Sequence, residues 1–155
     1  MLIAGSCHCR NISFTLQCEP EPAEIPARAC TCSFCTGHGA IWTTLSSASL
    51  KVDVKEPAHL SIYAFGTKTA QFHICTRCGV VPVVTSRIEG RLYAAVNANT
   101  FEGIEFSLLQ HVSASFEGES EAARLARRKR NWIAHVEYAA GGSQGEAKAG
   151  LRGDL

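Results

Sequence analysis

Seven of the eight cysteines in this chain fall into three tight groups, Cys7-x-Cys9, Cys30-x-Cys32-x-x-Cys35 and Cys75-x-x-Cys78. Pairs this close strain as internal disulfides but suit a shared metal ion. The opening MLIAGSCHCR has no basic segment leading into a long apolar core, so no secretory signal is expected. The expected compartment is a reducing cytoplasm, and metal binding is favoured over a disulfide framework. A site drawn from the first and third groups would bring the N-terminus and the middle of the chain to a common point. The eighth cysteine, Cys18, ends an alternating run and reads as a buried apolar residue.

Thiolate is the soft donor that selects zinc, which takes four ligands in a tetrahedron. In a Cys-x-Cys on a strand, both sulfurs point to the same side. In CTRCG (75–79) a tight turn joins the two sulfurs, and Gly79 lets the backbone fold back beneath the metal. Seven cysteines divide naturally into a four and a three. Cys7, Cys9, Cys75 and Cys78 make a closed site, and Cys30, Cys32 and Cys35 remain. Spacing leaves alternatives open. Cys75 and Cys78 can pair with two of the trio, and His38, three residues past Cys35, can close the trio as a fourth ligand.

Around these groups the chain reads as one globular domain, with 46% hydrophobic and 19% charged residues in 155. No apolar run approaches the roughly 20 residues of a membrane-spanning helix. A formal net charge of +1 gives no reason to expect nucleic acid or an anionic membrane as partner. Alternation dominates. In NISFTLQC, Ile12, Phe14, Leu16 and Cys18 share one face. Segments 40–45, 58–64, 70–74, 80–86, 91–97 and 105–114 also read as short strands, and Pro82 suggests an edge strand or a bulge. The proline-rich stretch 18–28 reads as a loop.

From 119 to 136 the pattern turns helical, with Leu125, Trp132, Ile133 and Val136 near one face. The basic run Arg127-Arg128-Lys129-Arg130 reads as the solvated face of that helix, and Glu119 and Glu121 suit its N-terminal dipole. The domain is thus expected over 1–137, with 138–155 a disordered tail.

The motifs GSCHCRNISFTL (5–16), CTCSFC (30–35), FHICTRCG (72–79) and LYAAVNANTFEG (92–103), in this order, resemble the glutathione-dependent formaldehyde-activating enzyme family, also known as the centromere protein V domain. The resemblance spans about residues 3–115. It implies a mainly β, Mss4-like tent of short antiparallel strands organised around zinc. It further implies two zinc ions per chain: a structural one on Cys7, Cys9, Cys75 and Cys78, and a catalytic one on Cys30, Cys32 and Cys35 whose fourth position receives substrate.

Three thiolates leave zinc formally at −1, a weak Lewis acid that activates water poorly. An incoming thiol is softer and more acidic, and should fill the vacancy as thiolate. The expected function is a zinc-dependent carbon–sulfur lyase-like enzyme that forms or cleaves S-hydroxymethylglutathione, with glutathione and formaldehyde as small-molecule partners. His38 is the nearest candidate acid or base. His8, between two proposed ligands, reads as structural or surface, and His73 can reach either site. Trp42 reads as core or pocket wall, and Ser33 and Thr36 as hydrogen-bond donors to bound sulfur. The rival expectation is a non-enzymatic β domain with two structural metals and a protein partner. A redox or metal-buffering trio fits less well, because Cys32-x-x-Cys35 lacks a βαβ setting.

Overall fold

A computed structural model describes residues 1–141, so the expected tail beyond 141 lies outside the described residues. The first half of the chain runs β1 (Leu2–Ser6), β2 (Ile12–Gln17), β3 (Ile25–Cys30), α1 (Ser33–His38), β4 (Ile41–Thr43), β5 (Ser49–Val54) and β6 (Leu60–Tyr63). The second half adds β7 (Gln71–Cys75), β8 (Val83–Ile88), β9 (Arg91–Asn97), β10 (Phe101–Glu102), β11 (Leu109–Ala114), α2 (Glu121–Asn131) and β12 (His135–Ala140). The strands form a five-stranded sheet in the order β10-β1-β2-β5-β12 and a seven-stranded sheet in the order β11-β3-β4-β9-β8-β7-β6. The mainly β class expected from alternation is what the chain adopts. Most pairings are antiparallel, but β11 with β3 and β12 with β5 are parallel.

Alternation along the central strands divides the interior into two cores. On β9, Ala94 and Val96 join a core shared with the five-stranded sheet, where Ile3, Ile12, Leu16, Leu50 and Val52 are buried. Tyr93 and Ala95 join a second core with Trp42, Phe72, Val84 and Trp132. The register aligns Phe72 with Val84 and Val84 with Ala95, so one row of side chains crosses three strands. A sheet covered on both faces explains why β9 is almost wholly buried despite its mixed sequence.

His73, two residues before Cys75 on β7, faces the five-stranded sheet. Its ring hydrogen-bonds the Tyr138 hydroxyl at 2.9 Å and the Thr85 hydroxyl at 2.8 Å, tying the two sheets together. It reaches neither cysteine group. Burial pulls its pKa down to about 4, which keeps the ring neutral.

Five strands fall outside the segments that alternation marked, the two-residue β10 among them. β3 lies in the supposed loop 18–28 and carries Pro26 between β11 and β4. β1 and β5 were not expected, although Leu50, Val52 and Val54 alternate cleanly on β5. β12 occupies the end of the supposed helix and the start of the supposed tail. The helix itself is shorter than 119–136. Ser120 caps it, accepting from the Ala123 amide at 3.2 Å, and it ends at Asn131. Trp132 is already extended. It packs in the second core, and the next residue, Ile133, exchanges two 3.0 Å backbone bonds with Ala94 and enters the first. The three-residue β4 meets β9 only at Val96 and Asn97, leaving this part of the β9 edge open for the crossing. Pro82 precedes β8, an interior strand, and its carbonyl accepts from the Asn97 amide at 2.8 Å; no edge or bulge is needed.

Candidate metal centres and the adjoining cavity

The turn after β1 carries Cys7 and Cys9, and the end of β7 with its following turn carries Cys75 and Cys78. The first pair sits in a turn rather than on a strand, as the sequence reading had it. All four sulfurs lie within 4.8 Å of one another. Cys7 and Cys9 Sγ are 3.8 Å apart, and Cys9 and Cys75 Sγ 3.4 Å. Tetrahedral thiolate coordination at about 2.3 Å requires sulfurs about 3.8 Å apart, whereas a disulfide needs about 2.0 Å. The cluster therefore fits a metal, and all eight cysteines are free thiols.

Gly79 adopts φ +76 and its amide donates to the Cys75 carbonyl at 2.7 Å, the reversal expected of the knuckle. Cys7 and Cys75 are fully buried. Burial pushes the Cys7 thiol up to about 12, opposed by the Ile12 amide that donates to its sulfur at 3.3 Å. Cys78 is held down to about 6: burial works against this, but the amides of Val80 and Cys9 and the Cys75 thiol outweigh it. A cation held here would take its ligands as thiolates.

The second cluster is local. Cys30 ends β3, Cys32 is the N-cap of α1, and Cys35 lies in its first turn. Their sulfurs also lie within 4.8 Å of one another. Cys32 Sγ accepts from the Cys35 amide at 3.4 Å, doing the work of an N-cap oxygen. The Cys35 thiol donates to Cys30 and holds it down to about 5 against burial, aided by Cys32 and by the positive field of Arg127. The same bond and burial push Cys35 up. Trp42 Nε1 donates to Cys35 Sγ at 3.3 Å. Trp42 is thus both core and sulfur donor, a role given in the sequence reading to Ser33 and Thr36, for which no such bond occurs among the described residues.

His38 is not brought into this cluster. At position i+4 from Phe34 its Nδ1 lies 2.6 Å from the Phe34 carbonyl, and its exposed ring packs on the Phe34 ring at 4.6 Å. His8 is exposed on the turn between Cys7 and Cys9.

The trio opens on a cavity of about 440 Å³ in the second core, between the seven-stranded sheet and α2. Period-2 alternation puts Arg28 and Cys30 on the cavity face of β3, and Trp42 and Thr44 beside them on the next strand segment. Phe65, Phe72 and Trp132 supply apolar wall. Arg124, Arg127 and Arg128 also line it. The basic run was read as a solvated face, but only Lys129 and Arg130 are exposed there, and Arg128 is 7% exposed. Arg124 and Arg128 are four positions apart, so one stripe of the helix faces the sheet, and Trp132 follows at its end.

A solved structure of a Rhodobacter sphaeroides protein is 31% identical and aligns with a TM-score of 0.48, covering 67% of this chain and 92% of that one. A Halomonas elongata protein provisionally named a glutathione-dependent formaldehyde-activating enzyme is 34% identical over 85 residues, 50% of this chain and 52% of the relative. The chain therefore spans about half the length of that relative. The family pattern named "Glutathione-dependent formaldehyde-activating enzyme" matches residues 2–115, which include both cysteine clusters. The chain belongs to the glutathione-dependent formaldehyde-activating enzyme family.

Proposed function

We propose that the protein is a zinc-dependent carbon–sulfur lyase-like enzyme that joins a small thiol, glutathione in the family's name, to formaldehyde, or cleaves the adduct. Cys7, Cys9, Cys75 and Cys78 hold a structural zinc in this reading, and Cys30, Cys32 and Cys35 a catalytic one. The observation that carries it is the contrast in ligand number and setting: the four-sulfur cluster has a full tetrahedral set, with Cys7 and Cys75 buried in the first core, and the three-sulfur cluster is one ligand short and lines a cavity. A zinc ion on the trio supplies a soft cation able to keep a substrate thiol in its thiolate form.

The reaction is an addition. The sulfur lone pair bonds to the carbonyl carbon, the C=O π pair moves to oxygen, and that oxygen takes up the proton the thiol released. Nothing is oxidised. The chain's own groups support the charge this requires. The Trp42 N–H and the Cys35 amide rest on two of the sulfurs, and Arg127 adds a positive field at Cys30. The apolar walls limit water, which strengthens these interactions. His38, whose ring is engaged by Phe34, would stay outside the ligand set, so Cys30, Cys32 and Cys35 would hold the ion and leave room for a substrate thiol. A reading in which both metals are structural leaves the cavity without a purpose.

Glutathione titration of the zinc-loaded protein, followed by zinc-edge absorption, tests this. Sulfur coordination should rise from an average of 3.5 per zinc, the mean of the proposed four- and three-cysteine sites, towards about four. Unchanged coordination at saturating thiol would remove the proposal.

A further inference from the structure

Four guanidinium groups line the cavity, from Arg28 on β3 and from Arg124, Arg127 and Arg128 on α2. Two of them share one carboxylate within the chain. Glu119 accepts from Arg127 Nε and Nη2, each at 3.0 Å, and approaches Arg124 Nε at 3.5 Å. Arg127 is further fixed over the Phe116 ring at 3.7 Å. Arg28 and Arg128 form no ion pair among the described residues. Glu117, the carboxylate at the cavity rim, is exposed and pairs with neither.

Arg128 is the more telling of the two. It is 7% exposed, its Nη1 donates only to the neutral hydroxyls of Thr69 at 2.8 Å and Ser86 at 3.4 Å, and its buried Nε has no partner. Arg28 likewise donates only to the Thr44 hydroxyl. A guanidinium taken out of water without a counter-charge is costly to keep, and a methionine or leucine would fill the same volume without that cost. Burial and the neighbouring arginines draw the Arg128 pKa down to about 10, so the charge persists at neutral pH. The apolar surface of Trp42, Phe72, Val84 and Trp132 adjoins these charges. A ligand matching this wall needs an anionic end and a compact carbon body, within about 440 Å³.

We infer that Arg28 and Arg128 form a carboxylate-binding subsite, so that the thiol received by the cysteine trio carries a carboxylate besides its sulfur. The planar guanidinium fork matches a carboxylate and gives it orientation as well as affinity. The thiol half of this statement rests on the proposed function; the carboxylate half stands on the two unneutralised arginines. Arg128 lies beyond the 2–115 family match, so half of the subsite comes from the segment that follows it.

The two tryptophans of the chain, Trp42 and Trp132, both line the cavity and give a fluorescence readout of its occupancy. The zinc-loaded full chain is titrated with 3-mercaptopropionate, with its neutral analogue 3-mercaptopropan-1-ol, with butyrate and with inorganic phosphate. The acid should bind about tenfold or more tightly than the alcohol. Arg28→Gln and Arg128→Gln should each cut that preference to about threefold or less while leaving the alcohol's affinity unchanged. Arg130→Gln, on the exposed side of α2, should preserve it. Should Arg128→Gln fail to fold, Arg28→Gln carries the test alone. Equal affinity for acid and alcohol overturns the subsite, as does an unchanged preference in the arginine variants or phosphate binding more tightly than butyrate. If both thiols bind no better than butyrate, yet the arginine variants abolish butyrate binding, the subsite stands and the thiol chemistry falls.

Discussion

The two faces of the seven-stranded sheet set the same donor atom in different surroundings. On the face towards the five-stranded sheet, Cys7 and Cys75 are fully buried among Ile3, Ile12 and Val54, and their cluster joins the first turn of the chain to the end of β7. On the face towards α2, Cys30, Cys32 and Cys35 come from six consecutive residues and open on a cavity. The first cluster closes a long loop and its ligand count is complete. The second closes almost no loop and ends one ligand short. Long-range ligation contributes to folding, whereas a short, accessible site leaves its free energy for binding. The surroundings follow the same division. Aliphatic side chains and a backbone amide pack on the buried sulfurs of the four, while the three have a tryptophan N–H and share their cavity with four arginines.

Removal of one sulfur from each cluster is the sharpest way to break this comparison. Cys75→Ser should cost about 5 kcal/mol or more, enough to unfold a domain of ordinary stability. Urea denaturation with parallel metal analysis would show it; a folded variant would contradict the structural role. The next effect belongs to His73, which holds the two sheets together beside the closed cluster. Its folded pKa of about 4 lies below the ordinary value near 6.5, so the unfolded chain binds the extra proton between these values. The stabilisation from its neutral ring is therefore complete above about pH 6.5 and lost as pH falls towards 4, by about 3 kcal/mol. In His73→Gln that part of the pH slope should vanish, measurable as the difference between the two unfolding curves against pH.

Smaller effects are expected on the open side. Trp42→Phe keeps an aromatic ring but loses the pyrrole portion of the indole and with it the N–H on Cys35 Sγ. It should cost about 1 kcal/mol in stability and about tenfold in metal affinity of the trio, by chelator competition. Cys32→Ser should change stability by less than about 1 kcal/mol, because serine is itself a preferred N-cap and keeps the bond from the Cys35 amide. It should nonetheless lose one of two metal equivalents. If it unfolded as readily as Cys75→Ser, the two faces would be alike in function.

Legibility in the sequence followed the range of the interaction. The strands around Phe14, Phe72 and Val96 were visible because alternation is a property of neighbours. β5 carried the same signal in Leu50, Val52 and Val54, with Lys51 and Asp53 between them, and was open to the same reasoning. β3 was hidden by Pro26, which reads as a loop until β4 and β11 flank it. β12 was hidden because its segment continues the helical composition of α2. It becomes a strand only by pairing with β5, 86 residues earlier in the chain. Trp132 and Ile133 looked like one helical face, and they belong to two different cores.

The sequence by itself determined the local chemistry. The Cys-x-x-Cys-Gly turn demands a residue at positive φ, and Gly79 provides it; the trio's spacing places three sulfurs around one helix start. It left open which pairs share a cluster and whether His38 closes the trio, since both depend on where distant segments and a single rotamer come to rest. Tertiary structure decided those points. Strand pairing set Cys7 and Cys9 against Cys75 and Cys78, helical geometry turned His38 to Phe34, and docking of α2 drove Arg128 into the cavity wall. A basic run of four residues carries no mark of which side will be buried, because only the sheet it packs against defines an inside.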